Sequence, residues 1–160
     1  MDRINQILQH PLFQKYMKEN AVKEKERVFC RHNMAHVMDV ARIAYILNME
    51  EGHGLSKDMI YGAALLHDIG RHVQYETGEK HAIVGARMAP EILYECGFQK
   101  EEIDEITDAI YHHSDKSRIG QMGLAGLLAK ADQMSRACYV CAAKGACNWS
   151  EERKNHRIEW

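Results

Sequence analysis

Only two prolines interrupt this chain of 160 residues, at positions 11 and 90. The stretches between them are written mainly in Ala, Leu, Ile, Met, Glu and Lys, and the alternation of β-branched residues that marks strands is scarce. Unbranched side chains lose little rotamer freedom on a helix, so the expectation is an all-α fold. A chain of this length can bury a real core, and no internal repeat, low-complexity tract or linker divides it. One domain over residues 1–160 is therefore expected.

Start and stop signals divide the chain further. A first helical region covers about residues 3–28, broken near His10-Pro11. A second runs over about 33–51 and stops at Gly52-His53-Gly54. Ser56 is a good N-cap for the next, which passes through Ile60, Ala64 and His67 and which Gly70 can end. Residues 71–78 read as a polar, exposed loop. A helix over about 79–95 holds Pro90 in its interior, which predicts a kink or a break. Helices over about 99–113 and 121–143 complete the frame.

Into this frame the chain sets an ordered series of metal-ligand side chains. The apolar run Ala63-Ala64-Leu65-Leu66 leads directly into His67-Asp68-Ile69-Gly70. His36 stands upstream, at the start of the stripe Val40, Ile43 and Leu47. His81, His112-His113 and Asp132 follow downstream. Asp132 shares a stripe with Leu124, Leu128 and Ser135, where an unpaired acid would be very costly to bury. Each residue alone has an ordinary explanation as a hydrogen-bonded core histidine, a helix-end pair or a surface charge. All seven on inward-facing positions would require several unrelated coincidences. Imidazole nitrogen with carboxylate oxygen suits Fe, Mn, Ni or Zn better than Ca or Mg. A metal-dependent hydrolase is the leading reading.

The order His36, His67-Asp68, Asp132 resembles the HD-domain superfamily of metal-dependent phosphohydrolases. His67-Asp68-Ile69-Gly70, with His81-Ala82-Ile83-Val84-Gly85-Ala86 and His112-His113, is similar to its HDIG-like subgroup. The resemblance covers about residues 30–140. It implies a helical bundle of about six or seven helices around a central metal site. It also implies one or two divalent transition metals: His36, His67, Asp68 and Asp132 for the first, His81, His112 and His113 for a second, with Asp68 bridging. Asp68 and Arg71 are then the expected catalytic residues, with a metal-activated hydroxide attacking phosphorus. The expected partner is a small phosphorylated substrate such as a nucleotide. Arg71, Lys116, Arg118, Lys130 and Arg136 are its candidate phosphate contacts. No Gly-Tyr-Pro follows the His pair, and Ile69-Gly70-Arg71-His72 follows His67-Asp68, which demotes the cyclic-dinucleotide, alarmone and deoxynucleotide substrates of other branches that the chain resembles less. Two alternatives stay open: a di-iron oxygenase on the same His/Asp site, and a non-enzymatic metal or nucleotide sensor.

The net charge of −2 argues against a nonspecific nucleic-acid binder. No apolar run approaches the roughly 18 residues that span a bilayer, and the N-terminal residues lack the pattern of a secretory signal. Five cysteines, an odd number, are expected as reduced thiols in a cytoplasm. Cys138, Cys141 and Cys147 form C-x2-C-x5-C, three-quarters of a structural zinc site, with Cys30 or His156 as a fourth ligand. The plainer reading packs Cys138 and Cys141 three apart on the last helix. The charged end, residues 151–157, is expected to be frayed or partner-binding. An oligomer is compatible with the sequence.

Overall fold

A computed structural model describes residues 2–160. Among the described residues there are eight α-helices and three short 3-10 turns, with no strand. The helices are α1 (Arg3–Gln9), α2 (Pro11–Lys23), α3 (Met34–Glu51), α4 (Lys57–Leu66), α5 (Arg71–Thr77), α6 (His81–Glu95), α7 (Lys100–His112) and α8 (Leu124–Met134). No helix is long and apolar enough to cross a membrane.

The local chemistry sets most of these boundaries. His10 both ends α1 and caps α2, its Nδ1 accepting from the Leu12 amide at 3.2 Å with Pro11 in the first turn. Asn33 caps α3 by accepting from the His36 amide at 3.1 Å, and Ser56 caps α4 by accepting from Met59 at 3.3 Å. Gly52 ends α3 in the left-handed region, at a φ of 71°.

Helix α4 is the centre of the bundle. Met59, Ile60 and Ala63 through Leu66 are all buried, and the helix packs on α1, α3, α7 and α8. Burying one such large aliphatic side chain is worth about 1.5–3 kcal/mol. Arg3 fastens α1 to this core, donating from Nε to Asp58 at 2.7 Å and from Nη1 to Glu102 at 2.5 Å while lying over the Phe98 ring.

The fold departs from the sequence expectation at four places. Residues 71–78 are not a loop but contain α5, held by polar contacts: buried His72 stacks on Tyr16 and takes Asn20 as its partner. Helix α2 ends at Lys23, not near 28. At Pro90, where a kink or a break is expected, helix α6 does not break, and this is not one of the four departures. Pro90 forgoes one backbone bond there, but Ala89, Ile92 and Leu93 around it are fully buried and hold the helix in place. Helix α8 stops at Met134, so Cys138 and Cys141 do not share it. The Asn155 amide donates to the carbonyls of Gln133 and Arg136, both at 2.7 Å, occupying acceptors that a longer helix would have bonded internally. The charged end is therefore docked and not frayed, with Lys154 buried and Trp160 packed on the core.

One close approach positions the centre of the molecule. A Cβ on Gly70 would lie 2.7 Å from the His81 carbonyl and 2.8 Å from the Gly85 amide, and one on Gly85 would lie 3.3 Å from the His67 carbonyl. The two glycines let the turn after α4 seat directly against the first turns of α6.

Candidate metal centre

Six side chains converge where these elements meet. His36 comes from the first turn of α3, His67 and Asp68 from the turn that ends α4, His81 from the start of α6, His113 from the end of α7 and Asp132 from α8. His36 Nε2 lies 3.4 Å from Asp68 Oδ2 and 3.3 Å from Asp132 Oδ1. His67 Nε2 lies 3.1 and 3.8 Å from the same two oxygens. The other oxygen of Asp68 faces a different set: Oδ1 is 3.4 Å from His81 Nε2 and 3.7 Å from His113 Nε2, which are 3.0 Å apart. Arg71 Nε donates to this oxygen at 2.9 Å.

The ring nitrogens facing away from the centre are already occupied. Nδ1 of His67 bonds the Ala64 carbonyl at 2.7 Å and that of His113 the Ile110 carbonyl at 2.6 Å. Nδ1 of His81 bonds the Gln74 side chain at 2.6 Å, and that of His36 bonds Ser135 Oγ at 3.2 Å. Each bond fixes a tautomer with its Nε2 lone pair directed inward, the arrangement of a metal-ligating histidine supported from behind.

Three of the inward atoms, His67 Nε2, Asp68 Oδ2 and Asp132 Oδ1, are buried without a hydrogen-bond partner. Leaving one such group unsatisfied costs about 1–3 kcal/mol, and more when it is charged. Donor triads His36/His67/Asp68, His67/His113/Asp132 and Asp68/His81/His113 each have their ligand atoms within 4.8 Å of one another. Orphaned donors of this chemistry, this closely gathered, fit a divalent transition metal.

The electrostatics agree. Burial would raise Asp68, but Arg71 and His67 hold its carboxyl well below the usual carboxylate range. Burial also opposes charge on Asp132, where His36 and His67 keep it low. Burial opposes charge on His36, yet the Asp132 and Asp68 carboxylates beside its ring favour the protonated form and raise it. Burial pushes His81 down to about 3, leaving a neutral imidazole at ordinary pH.

Of the histidine pair, only His113 reaches the centre. His112 is half-buried, with Nε2 3.5 Å from Asp108 and its ring against Tyr111, so the expectation of a ligand there is corrected. Neighbouring helical residues point about 100° apart, and His113 continues the buried series Ile106, Ile110. That spacing was the signal that could have chosen between them.

Sequence reasoning passed over a further buried layer. His32 Nε2 lies 4.0 Å from Asp68 Oδ2, and its Nδ1 is paired with Glu24. Glu24 also accepts from the His32 amide at 2.7 Å and from the Tyr75 hydroxyl at 2.7 Å. Burial opposes the charge on Glu24, yet its bonds to His32 lower it to about 2. Asn20 donates to the Asp68 carbonyl at 2.9 Å. The only hint of this layer in the sequence is that His32 stands four residues before His36.

A cavity of about 540 Å³ opens over the centre. Arg27, Arg71, Lys116, Arg136, Lys144, Arg153 and Lys154 line it, and Asp132 is its only acidic lining residue among those described. Phe29 and Trp149 add aromatic surface, and Arg153 lies 3.9 Å over the Trp149 ring. Arg71, Lys116 and Arg136 thus reach the cavity as candidate phosphate contacts. Two other candidates do not: Lys130 pairs with Glu51, and Arg118 lies beside Asp115 and Gln121.

Together, fold and site define a helical metal-binding domain of the His/Asp type. The family model for the HD domain matches residues 33–144, and the chain belongs to that family. It is 43% identical over 158 residues, 99% of either chain, to an uncharacterized protein of Clostridium beijerinckii. It is 30% identical over 142 residues, 80% of this chain and 73% of the other, to the Bacillus subtilis protein named "Putative phosphohydrolase YueE". Among solved structures it is similar to a predicted HD superfamily hydrolase from an uncultured Thermotogales bacterium. That match has a TM-score of 0.62 and 25% identity, and covers 88% of this chain and 80% of that one.

Proposed function

We propose that the chain is a metal-dependent phosphohydrolase acting on a small phosphate ester, with nucleotides as the expected substrate class. The observation that carries this reading is Asp68, buried with each oxygen facing its own set of histidines and touching Arg71, His81 and His113, which line a cavity walled by cations. Divalent metals held by His36, His67, Asp68 and Asp132, and by His81 and His113 with Asp68 shared, would supply a water of lowered pKa and neutralise charge on the phosphoryl oxygens.

The chain's own groups supply the rest. Arg71 rests on Asp68 and borders the cavity, so its guanidinium can turn from the carboxylate to a phosphoryl oxygen. Arg136 sits between the Arg31 carbonyl, at 3.1 Å, and His36 Nε2, at 3.0 Å, where it can meet an anion without a large movement. Lys116 adds a point charge on the rim. Trp149 offers an apolar face for the organic part of the ester. All five cysteines are free thiols, which fits a cytoplasmic protein.

The ring of cations favours an anionic ester over the dioxygen of a di-iron oxygenase. The test is phosphate release from nucleoside mono-, di- and triphosphates after reconstitution with Mn²⁺ or Fe²⁺. Metal-dependent release that Asp68→Asn abolishes is the expected result. Stoichiometric metal with no release from any ester would point to a binding-only role, and oxygen-dependent turnover to the oxygenase.

A further inference from the structure

The cysteine motif lies outside the His/Asp centre and is not used by the proposed chemistry. Cys138, Cys141 and Cys147 follow α8 through two tight turns, with Cys141 N bonded to the Cys138 carbonyl and Lys144 N to the Cys141 carbonyl. Cys30 belongs to a different part of the chain, the segment between α2 and α3. Arg136, two residues before Cys138, donates to the Arg31 carbonyl at 3.1 Å, and Arg27 donates to that of Cys30 at 2.7 Å. The first bond joins the two segments, the second shapes the turn at Cys30, and all four cysteines line the same cavity as free thiols. Burial pushes the Cys30 thiol up and Arg136 beside it opposes the shift, with Cys138, Cys141 and Cys147 adding to it. His156 is directed elsewhere, its Nε2 donating to the Glu151 carbonyl at 2.8 Å and its Nδ1 accepting from Lys144 Nζ at 3.3 Å.

The charges around the thiols are also out of balance. Arg136 and Lys154 are only 7% and 8% exposed. Lys154 pairs with Glu151, which is itself exposed, Arg136 lies 3.8 Å from Asp132, and Arg153 Nε is buried with no hydrogen-bond partner while its guanidinium stacks on Trp149. Four thiolates around one divalent cation carry a net charge of about −2, which this excess of cations would offset.

We propose that Cys30, Cys138, Cys141 and Cys147 form a second metal site, separate from the His/Asp centre, that binds zinc through four thiolates. Soft thiolate donors select zinc, and four of them make a closed tetrahedral site with no open position for a substrate. Binding exchanges four S–H protons for four Zn–S bonds with no change of oxidation state, the protons going to solvent. The close-packed donor triads among the described residues are all of histidine and aspartate. The thiols are less closely gathered than these, and a bound cation would draw them together. The site fastens the C-terminal tail to the segment just before His36, and so fixes the wall of the cavity.

The test uses the full chain, purified without chelator or metal-binding tag, in wild type and in an Asp68→Asn/His67→Ala variant that disables the other centre. About one zinc per chain should persist in the variant and be released when a mercurial titrates the thiols. Cobalt exchanged for that zinc should show sulfur-to-cobalt charge-transfer absorption and the intense visible bands of a tetrahedral tetrathiolate. Cys30→Ser and Cys147→Ser should each lose the zinc, whereas Cys96→Ser, in the core, should retain it. Zinc absent from the variant, cobalt without the tetrathiolate spectrum, or an iron–sulfur chromophore would each overturn the proposal. The cobalt spectrum of the otherwise unaltered cysteines decides the matter even if the serine variants fail to fold.

Discussion

Asp68 is the residue on which both donor sets depend, because its two oxygens face different histidines. Asp68→Asn keeps the size of the side chain but removes the charge, so both sets should lose affinity. Elemental analysis should find the His/Asp metal gone while the far-ultraviolet circular dichroism stays that of the native helices; full metal content in the variant would remove Asp68 from the ligand set. His81 carries a separate prediction for the chelated, metal-free protein. Burial holds it down to about 3 from an ordinary value of 6.5. The unfolded chain therefore takes up a proton at His81 below pH 6.5 that the folded chain refuses until about pH 3, and stability falls as pH drops through that window. His36 has the opposite sign: its pKa is raised, so its contribution is full below 6.5 and is lost as pH rises through the folded value. His81→Gln should flatten the acid limb of stability, read as urea midpoints at neutral and mildly acid pH after chelation. An unchanged slope would mean that His81 is not held neutral by its surroundings.

At the scale of elements, Gly70 and Gly85 set how closely the turn after α4 meets α6. Gly70→Ala would place its Cβ 2.7–2.8 Å from α6 backbone atoms and from Val84 Cβ, where no flexible side-chain end can yield. Such overpacking costs about 1–3 kcal/mol, and it should also move His81 away from Asp68. The expected outcome is a lower melting temperature together with weaker binding of the second metal equivalent; a native melting curve with normal metal titration would contradict it. The elements themselves differed in how far they could be read in the sequence. Helices α3 and α4 carry apolar stripes and caps that act locally, α6 carries a stripe alone, and their ends fell close to expectation. Helix α5 did not, because its buried residue is His72, stabilised by Tyr16 and Asn20 more than fifty residues away. Apolar periodicity cannot register a helix buried through polar contacts. The far end of α8 was misplaced for a similar reason, since the Asn155 amide that closes it comes from the tail. Most of the centre was legible because its ligands lie on apolar stripes or beside them. The exceptions were the choice between His112 and His113, which depended on helical phase, and the layer of Glu24, His32 and Asn20, which has no periodicity.

At the scale of the whole molecule, the charge distribution matters more than the total. The chain is slightly acidic, with a net charge of −2, yet the Lys, Arg, Asp and Glu residues lining the cavity, among those described, are seven cations and one acid. A concave, cation-lined site on a molecule of the opposite net sign focuses the field on an anion approaching the centre. The docked tail contributes to this, because it carries Lys144, Arg153 and Lys154 to the cavity while Asn155 and Trp160 hold its end against the bundle. Pyrophosphate binding to the metal-loaded protein should therefore weaken as ionic strength rises, since charges farther apart than about 8 Å are screened at physiological salt. The cations should also differ in weight. Lys144→Gln, on the exposed rim, should weaken binding by about 2–5-fold, as for a solvated charge pair. Arg71→Ala, at the centre, should cost about 10–100-fold, as for a charge-assisted hydrogen bond. Asn155→Ala leaves every cation in the sequence but releases the tail, so it should reduce pyrophosphate affinity and increase proteolysis of the last residues without changing metal content at the His/Asp centre. Calorimetry at low and high salt, with metal content measured on the same samples, separates these effects. Binding that ignores salt, or an Asn155→Ala variant with native affinity, would show that the tail is not a working wall of the cavity and that anions are held by the metal centre alone.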